Sequence, residues 1–336
     1  MERRRLSTDR DGAAFEWDAV TDDEGMRTPP HLPPPLIGVP FTRQDARRHG
    51  IDDLRLRARD IHHPFHGVNL SREPGDVREL CSAYLAVMPA GAHFSHSTAA
   101  ALLGIPLPPS VSPYPLHVSV LAPRTAPTGR GIRGHSLVSL AGTVVDGLPI
   151  SAPAHLWCQL SGEIGPEDLV AAGDHLIGAR LRTALVTIED LATLSARLQR
   201  TKGGRSRAWA LPRIRRGVDS RPETYLRLFL EEHGWEGIEV NEPVAVDGGR
   251  LALHPDLSVP SERVAFEYEG DGHRVDRRQW HLDIERRELL EAAGWRVVRV
   301  TADDLFARPD AFVARLQRFA PNRGYGAAKT ANWRKS

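Results

Sequence analysis

The sequence predicts an α/β multidomain protein, and three observations carry that prediction. Its 336 residues exceed what one ordinary core organises, while 41% hydrophobic residues suffice for two or more. Helical and extended patterns alternate along most of the chain instead of segregating, the order that builds mixed sheets covered by helices. Composition then punctuates the chain: prolines crowd residues 1–40, and a glycine pair followed by arginines interrupts it after residue 200.

These breaks divide the chain into five parts. Residues 1–40 read as a flexible, Pro-rich lead, 41–70 as a winged helix-turn-helix-like unit, 71–203 as a mixed α/β domain, 204–320 as a C-terminal α/β unit and 321–336 as a loose basic tail. No apolar run approaches the roughly 18 residues a membrane span requires. The opening MERRRLSTDRDGAAFEWDAV lacks the apolar region of a signal peptide, so a cytoplasmic protein without a membrane partner is expected. Cys81 and Cys158 lie far apart in apolar helical contexts, which points to buried thiols and not to a disulfide framework. Net charge is only +1, yet lysine occurs only at Lys202, Lys329 and Lys335, so basic patches are made of arginine.

In residues 41–70, Thr42 with Asp45 caps a helix ending at Gly50, a second helix follows over 52–59, and 61–70 forms a short strand pair. That outline would present Arg55, Arg57 and Arg59 to DNA; a small helical cap with a solvated basic face is the competing reading. The middle domain carries helices over 77–88 and 95–103, a strand over 116–121, a basic loop over 124–133, a helix start at Ser151 and Pro153, and helices over 166–177 and 188–198. His93, His96 and His155 lack cysteines or paired carboxylates at ligand spacing and read as structural histidines. In TKGGRSRAWALPRIRR, a glycine hinge precedes a basic helix against the C-terminal core, with Trp209 packing and Arg205 and Arg207 facing phosphate.

The C-terminal unit reads as helix 222–233, strands near 237–243, 250–257 and 263–269, helix 276–293, strand 295–300 and helix 302–318. Along 264–269, Ala265, Glu267 and Glu269 share one strand face, and Val264, Phe266 and Tyr268 the other. Asp256 ends an apolar segment eleven positions before Glu267, and pairing of the two strands would bring both acids together. Acids so placed repel unless a cation or protons compensate, and Mg²⁺ takes oxygen ligands of this kind.

Asp256, Glu267 and Glu269 around Tyr268, then Gly270, Gly272 and His273, Asp283 in a helix and the closing GWRVVRV resemble the very-short-patch-repair (Vsr-like) branch of the PD-(D/E)XK nuclease superfamily. The segment is similar, more narrowly, to the Vsr-like domain at the C-terminus of many actinobacterial proteins. The resemblance implies a restriction-endonuclease-like mixed sheet flanked by helices, with Glu223, Asp256 and Glu267 holding Mg²⁺ or Mn²⁺. It places Glu269 where the generic motif has lysine, makes His273 the general base and gives Asp283 a supporting role. The structural zinc of Vsr enzymes is held partly by cysteines, and with none after Cys158 no structural zinc is expected. Taken singly, these residues have plainer readings: Glu223 in a capping box with Ser220, Asp256 as a turn former, Asp283, Arg286 and Arg287 as a solvated helix face.

FTRQDARRHGIDDLRLRARDIHHPFHGV resembles the N-terminal winged helix of AbiEi-type antitoxins, and HFSHSTAAALLGIPLP and GLPISAPAHLWCQLSG resemble segments of the same antitoxin-associated region. Together these readings make the expected protein a metal-dependent DNA endonuclease. An antitoxin-like transcriptional regulator with a non-cleaving nuclease fold is the alternative, and an interaction scaffold a third. DNA is the expected partner; the sequence identifies no toxin-like or self partner.

Overall fold

Hydrophobic clusters organise the chain in a computed structural model that describes residues 30–179, 182–270 and 277–320. In the N-terminal piece, β1 (Phe41–Thr42) leads directly into α1 (Arg43–Arg48), and β2 (Val68–Asn69) returns antiparallel to β1. The Thr42 hydroxyl accepts the Asp45 N–H at 3.2 Å while the Asp45 carboxylate accepts the Thr42 N–H at 3.0 Å, the reciprocal cap that the sequence spells out. Two expectations fail here. Part of the Pro-rich lead is built into the fold, because Leu32 and Leu36 pack with Phe41, Ala46, Leu56 and Ile61. The helix expected over 52–59 is a single 3₁₀ turn, Arg55–Arg57, too short to serve as a recognition helix.

The middle unit contains α2 (Val77–Leu85), β3 (His93–Phe94), α3 (His96–Leu102), β4 (Leu116–Leu121), β5 (Thr128–Gly129), β6 (Ile132–Leu137), β7 (Gly142–Val145) and β8 (Leu148–Ser151). Helices α4 (Pro153–Leu160), α5 (Pro166–Ile177), α6 (Ile188–Arg197) and α7 (Gly204–Ala210) follow. Its sheet runs β5-β6-β4-β3-β8-β7, with β4 parallel to β6 and antiparallel to β3. Alternation along LHVSVL sends Leu116, Val118 and Val120 into the core and leaves His117 and Ser119 on the other face. Helix α7 packs on this unit, with Ala210 and Ile214 in the middle core, and not on the C-terminal core as the sequence suggested. Both cysteines are buried and unpaired with each other.

The C-terminal unit is built from α8 (Arg221–Glu232), β9 (Glu239–Val240), β10 (Val244–Val246), β11 (Leu251–Leu253), β12 (Leu257–Val259), β13 (Val264–Glu269), α9 (Arg277–Ala292), β14 (Arg296–Thr301) and α10 (Pro309–Phe319). Its four-stranded sheet has the order β14-β13-β12-β9, antiparallel except for the β13–β14 pair. Val264, Phe266 and Tyr268 face a core shared with Tyr225, Phe229, Trp235 and Phe312, as the strand period requires. The segment expected as one strand over 250–257 is divided: β11 forms a separate hairpin with β10, and the chain turns at His254 and Pro255 before β12.

An ionic knot joins the middle and C-terminal units. Asp174 on α5, 1% exposed, accepts from Arg215 N–H at 2.6 Å, the Thr224 hydroxyl at 2.8 Å and Arg227 Nη2 at 3.1 Å. Arg221 Nε reaches the buried Asp168 at 2.6 Å, and Leu228 of α8 enters the middle core. Among the described residues no helix is long and apolar enough to cross a membrane.

Candidate active site

Three local structures bring the acidic residues of the C-terminal unit toward one end of its sheet. Ser220 caps α8 and accepts the Glu223 N–H at 3.4 Å, with Pro222 in the first turn. The cap takes up the Glu223 backbone N–H and adds a side-chain hydrogen bond between Ser220 and Glu223. The Glu223 carboxylate turns inward, where Oε2 accepts the Asp219 N–H at 2.9 Å and Asn241 Nδ2 at 3.4 Å. Asp256 immediately precedes β12, and continuing the Leu257–Phe266 register places it beside Glu267 on β13. Asp256 Oδ2 accepts the Tyr268 N–H at 2.7 Å, which fixes one oxygen.

Burial, followed by the neighbouring Asp256 carboxylate, pushes Glu223 up to about 7. Asp256 is pushed up to about 6 by burial first, with repulsion from Glu267 and Asp219 working against the Tyr268 amide and Arg286. Two carboxyls held well above their usual range, one of them further raised by Glu267, gain from a proton or a cation. Glu267 Oε1 accepts from Arg286 Nε of α9 at 2.8 Å, and Arg286 also donates to the His254 carbonyl. Glu269 is ion-paired with Arg299 of β14. Asp283 lies on α9 one turn before Arg286 and is partly buried; His273 falls outside the described residues.

Oxygen donors of this type suit a hard divalent ion. The trio is nevertheless loose. Among the described residues, the group of potential ligands whose donor atoms all lie within 4.8 Å of one another is His96, His117 and His135 in the middle unit, and not Glu223, Asp256 and Glu267. Of the three histidines weighed from the sequence, only His96 belongs to that group; His155 instead contacts the Ser139 hydroxyl at 3.1 Å. His117 and His135 were missed because their meeting depends on the β4–β6 register, which no local pattern reveals.

The arginines expected at DNA divide by burial. Arg55 is 8% exposed and bonds both oxygens of Asp60, at 2.8 and 2.7 Å, and the Pro30 carbonyl, so it braces the N-terminal core and cannot reach a phosphate. Arg207 is 0% exposed and ties the Ser161 hydroxyl, the Lys202 and Leu198 carbonyls and the Thr201 hydroxyl into one knot. Both are structural, because a planar fork with this many donors satisfies several loop carbonyls at once. Arg57, Arg59 and Arg205 are exposed.

No protein-family profile matches the chain. Uncharacterised proteins from two strains of Mycobacterium tuberculosis are each 25% identical to it over 266 residues, 79% of this chain and 94% of theirs. A crystal structure of the RV2827C protein from Mycobacterium tuberculosis aligns at 18% identity and a TM-score of 0.33, over 51% of this chain and 75% of that one.

Proposed function

We propose that the C-terminal unit hydrolyses DNA phosphodiester bonds with a divalent cation, Mg²⁺ or Mn²⁺, held by Glu223, Asp256 and Glu267. The observation that carries this reading is the buried pair Glu223 and Asp256, raised to about 7 and about 6 with Glu267 beside them. An acidic group kept in that state at a fold's interior is costly unless the fold gains something from it. Such a cation supplies Lewis-acid polarisation of the phosphoryl group and an activated water.

The chain's own residues have separate tasks in this reading. Tyr268 N–H and Asp219 N–H orient the carboxylates of Asp256 and Glu223, which would supply oxygen ligands to the ion. Glu267 would be free to hold the ion only with Arg286 released from it, and that guanidinium would then be available to a phosphate. Arg286 would thus provide the positive charge that a motif lysine provides elsewhere and that Glu269, engaged by Arg299, cannot. His273 would accept the proton of the attacking water with Asp283 supporting it, and the exposed Arg57, Arg59 and Arg205 would hold the backbone of the duplex.

The Arg286–Glu267 bond also favours a second reading, an antitoxin-like regulator that binds DNA without cutting it, since the bond occupies a ligand oxygen. A plasmid-nicking assay on the purified protein decides between them. Cleavage with Mg²⁺ or Mn²⁺ that Asp256→Ala abolishes without unfolding supports the enzyme. Metal-independent binding of its own promoter without cleavage supports the regulator, and equal cleavage by Asp256→Ala removes the proposed site.

A further inference from the structure

We infer that the middle unit contains a second metal site, unconnected with the acidic cluster, in which His96, His117 and His135 bind one Zn²⁺-class transition-metal ion. Three elements distant in sequence converge on it. His117 comes from β4 and His135 from β6, strands paired in parallel with Ser119 opposite His135. His96 opens α3, which follows the strand paired to β4 from the other side. One ring nitrogen from each lies within 4.8 Å of the others. The rings are packed face to face and tilted, with centroids 3.9 Å apart for His96 and His135 and 5.1 Å for His117 and His135.

Two further observations distinguish this cluster from ordinary core histidines. Buried imidazoles normally find hydrogen-bond partners, yet His135 Nε2 is buried without one, and His117 Nδ1 has only the Glu163 carboxylate beside it. His117 is only 3% exposed, and its Nδ1 lies 3.3 Å from Glu163 Oε1. His96, moreover, has φ +49°, a left-handed conformation that a buried side chain adopts only where the surroundings impose it. Ser119 donates to Ser95 at 2.7 Å, and the Ser95 hydroxyl meets His96 Nδ1 at 3.0 Å, which orients the ring and leaves its Nε2 for a ligand.

Imidazole donors select borderline ions such as Zn²⁺ over Mg²⁺, and a three-histidine set leaves a coordination position open. His96 and His135 border a cavity of about 310 Å³, which Glu163, Arg133 and Lys202 also line and from which a further ligand could come. Arg133 and Lys202 oppose a cation, but both are exposed and solvent screens them. The Glu163 carboxylate, 15% exposed, acts from the protein side and offsets them.

The test uses the full-length protein stripped with chelator and titrated with Zn²⁺ by calorimetry, and with Co²⁺ by visible absorption, whose d–d bands report nitrogen ligation. One ion per chain is expected, with at least a 100-fold loss of affinity in His117→Ala and His135→Ala and a smaller loss in Glu163→Gln. Because alanine can loosen the core, His135→Gln is measured in parallel, with circular dichroism verifying the fold. Asp256→Ala must retain the ion, which keeps this site independent of the acidic one. The inference is overturned if no stoichiometric binding occurs below millimolar Zn²⁺, or if folded His117→Ala and His135→Gln bind as the parent does.

Discussion

Replacing Asp174 by alanine should be among the most damaging single changes in this chain. Arg227, 1% exposed, would keep its charge inside the protein with only Glu231 Oε1 at 3.1 Å to answer it. Removing one partner of a buried ion pair costs roughly 3–5 kcal/mol. The Thr224 hydroxyl and the Arg215 N–H lose their acceptor as well, each worth about 1–3 kcal/mol when left buried. Against this, burial holds Asp174 itself up at about 6, so the ionised aspartate is not a favourable group in isolation. We therefore expect a net loss of about 3–5 kcal/mol, a fall in Tm of roughly 6–20 °C for units of this size. Urea unfolding of the full chain, followed by tryptophan fluorescence, measures it. The double variant Asp174→Leu with Arg227→Met should recover more than half of the loss, because no charge is then stranded. If Asp174→Ala costs under about 1 kcal/mol, or if the two sites prove additive, the stranded-charge account is wrong.

Other outcomes follow from the same physical reasoning. Glu223 has a folded value of about 7 against 4.5 for the free group, so the folded state binds the extra proton. The metal-free protein should gain stability as pH falls through 7, by up to about 3 kcal/mol once below 4.5. Glu223→Gln should flatten that part of the difference curve, and an unchanged pH profile would count against the buried acid. Arg207→Ala should lower stability by about 3 kcal/mol or more through its orphaned carbonyls. Arg205→Ala should instead leave Tm unchanged and reduce the salt slope of the proposed DNA binding by about one; a Tm drop equal to that of Arg207→Ala would contradict the burial difference. Gly203 has φ +81°, and a methyl there would run into the Ser161 backbone and hydroxyl, so Gly203→Ala should unfold the α6–α7 junction, seen as a drop in helical circular dichroism on mild heating.

Local chemistry was legible in the sequence wherever neighbours along the chain decide the structure. The Thr42–Asp45 cap, the helix Pro166–Ile177 and the strand Leu116–Leu121 all occur where the pattern puts them, because caps, proline starts and alternation act within a few residues. In the C-terminal unit the helices 221–232 and 277–292 and the strand 264–269 were legible for the same reason, whereas the division of 250–257 between a hairpin and β12 was not. Burial of individual arginines was not. Arg55 and Arg207 resemble any surface arginine in sequence, and only Asp60, Pro30 and the 198–202 loop, assembled by the fold, turn them inward. The acidic trio stands between these extremes: the pairing of Asp256 with Glu267 follows from adjacent strands, whereas the grip of Arg286 on Glu267 depends on how α9 lies across them. The histidine trio is the extreme case, since it needs one strand register and one helix start to coincide.

The junction at Asp174 also bears on how a target would be met. Three donors from 215–227 end on one side chain of α5, so the chain has little slack where a linker would absorb rotation. On the proposed reading, a duplex laid across both units would have to adopt their angle instead of imposing its own. Stiff, straight tracts would be penalised and pliable steps tolerated, which turns the target's bendability into a criterion for selection even where no base is touched.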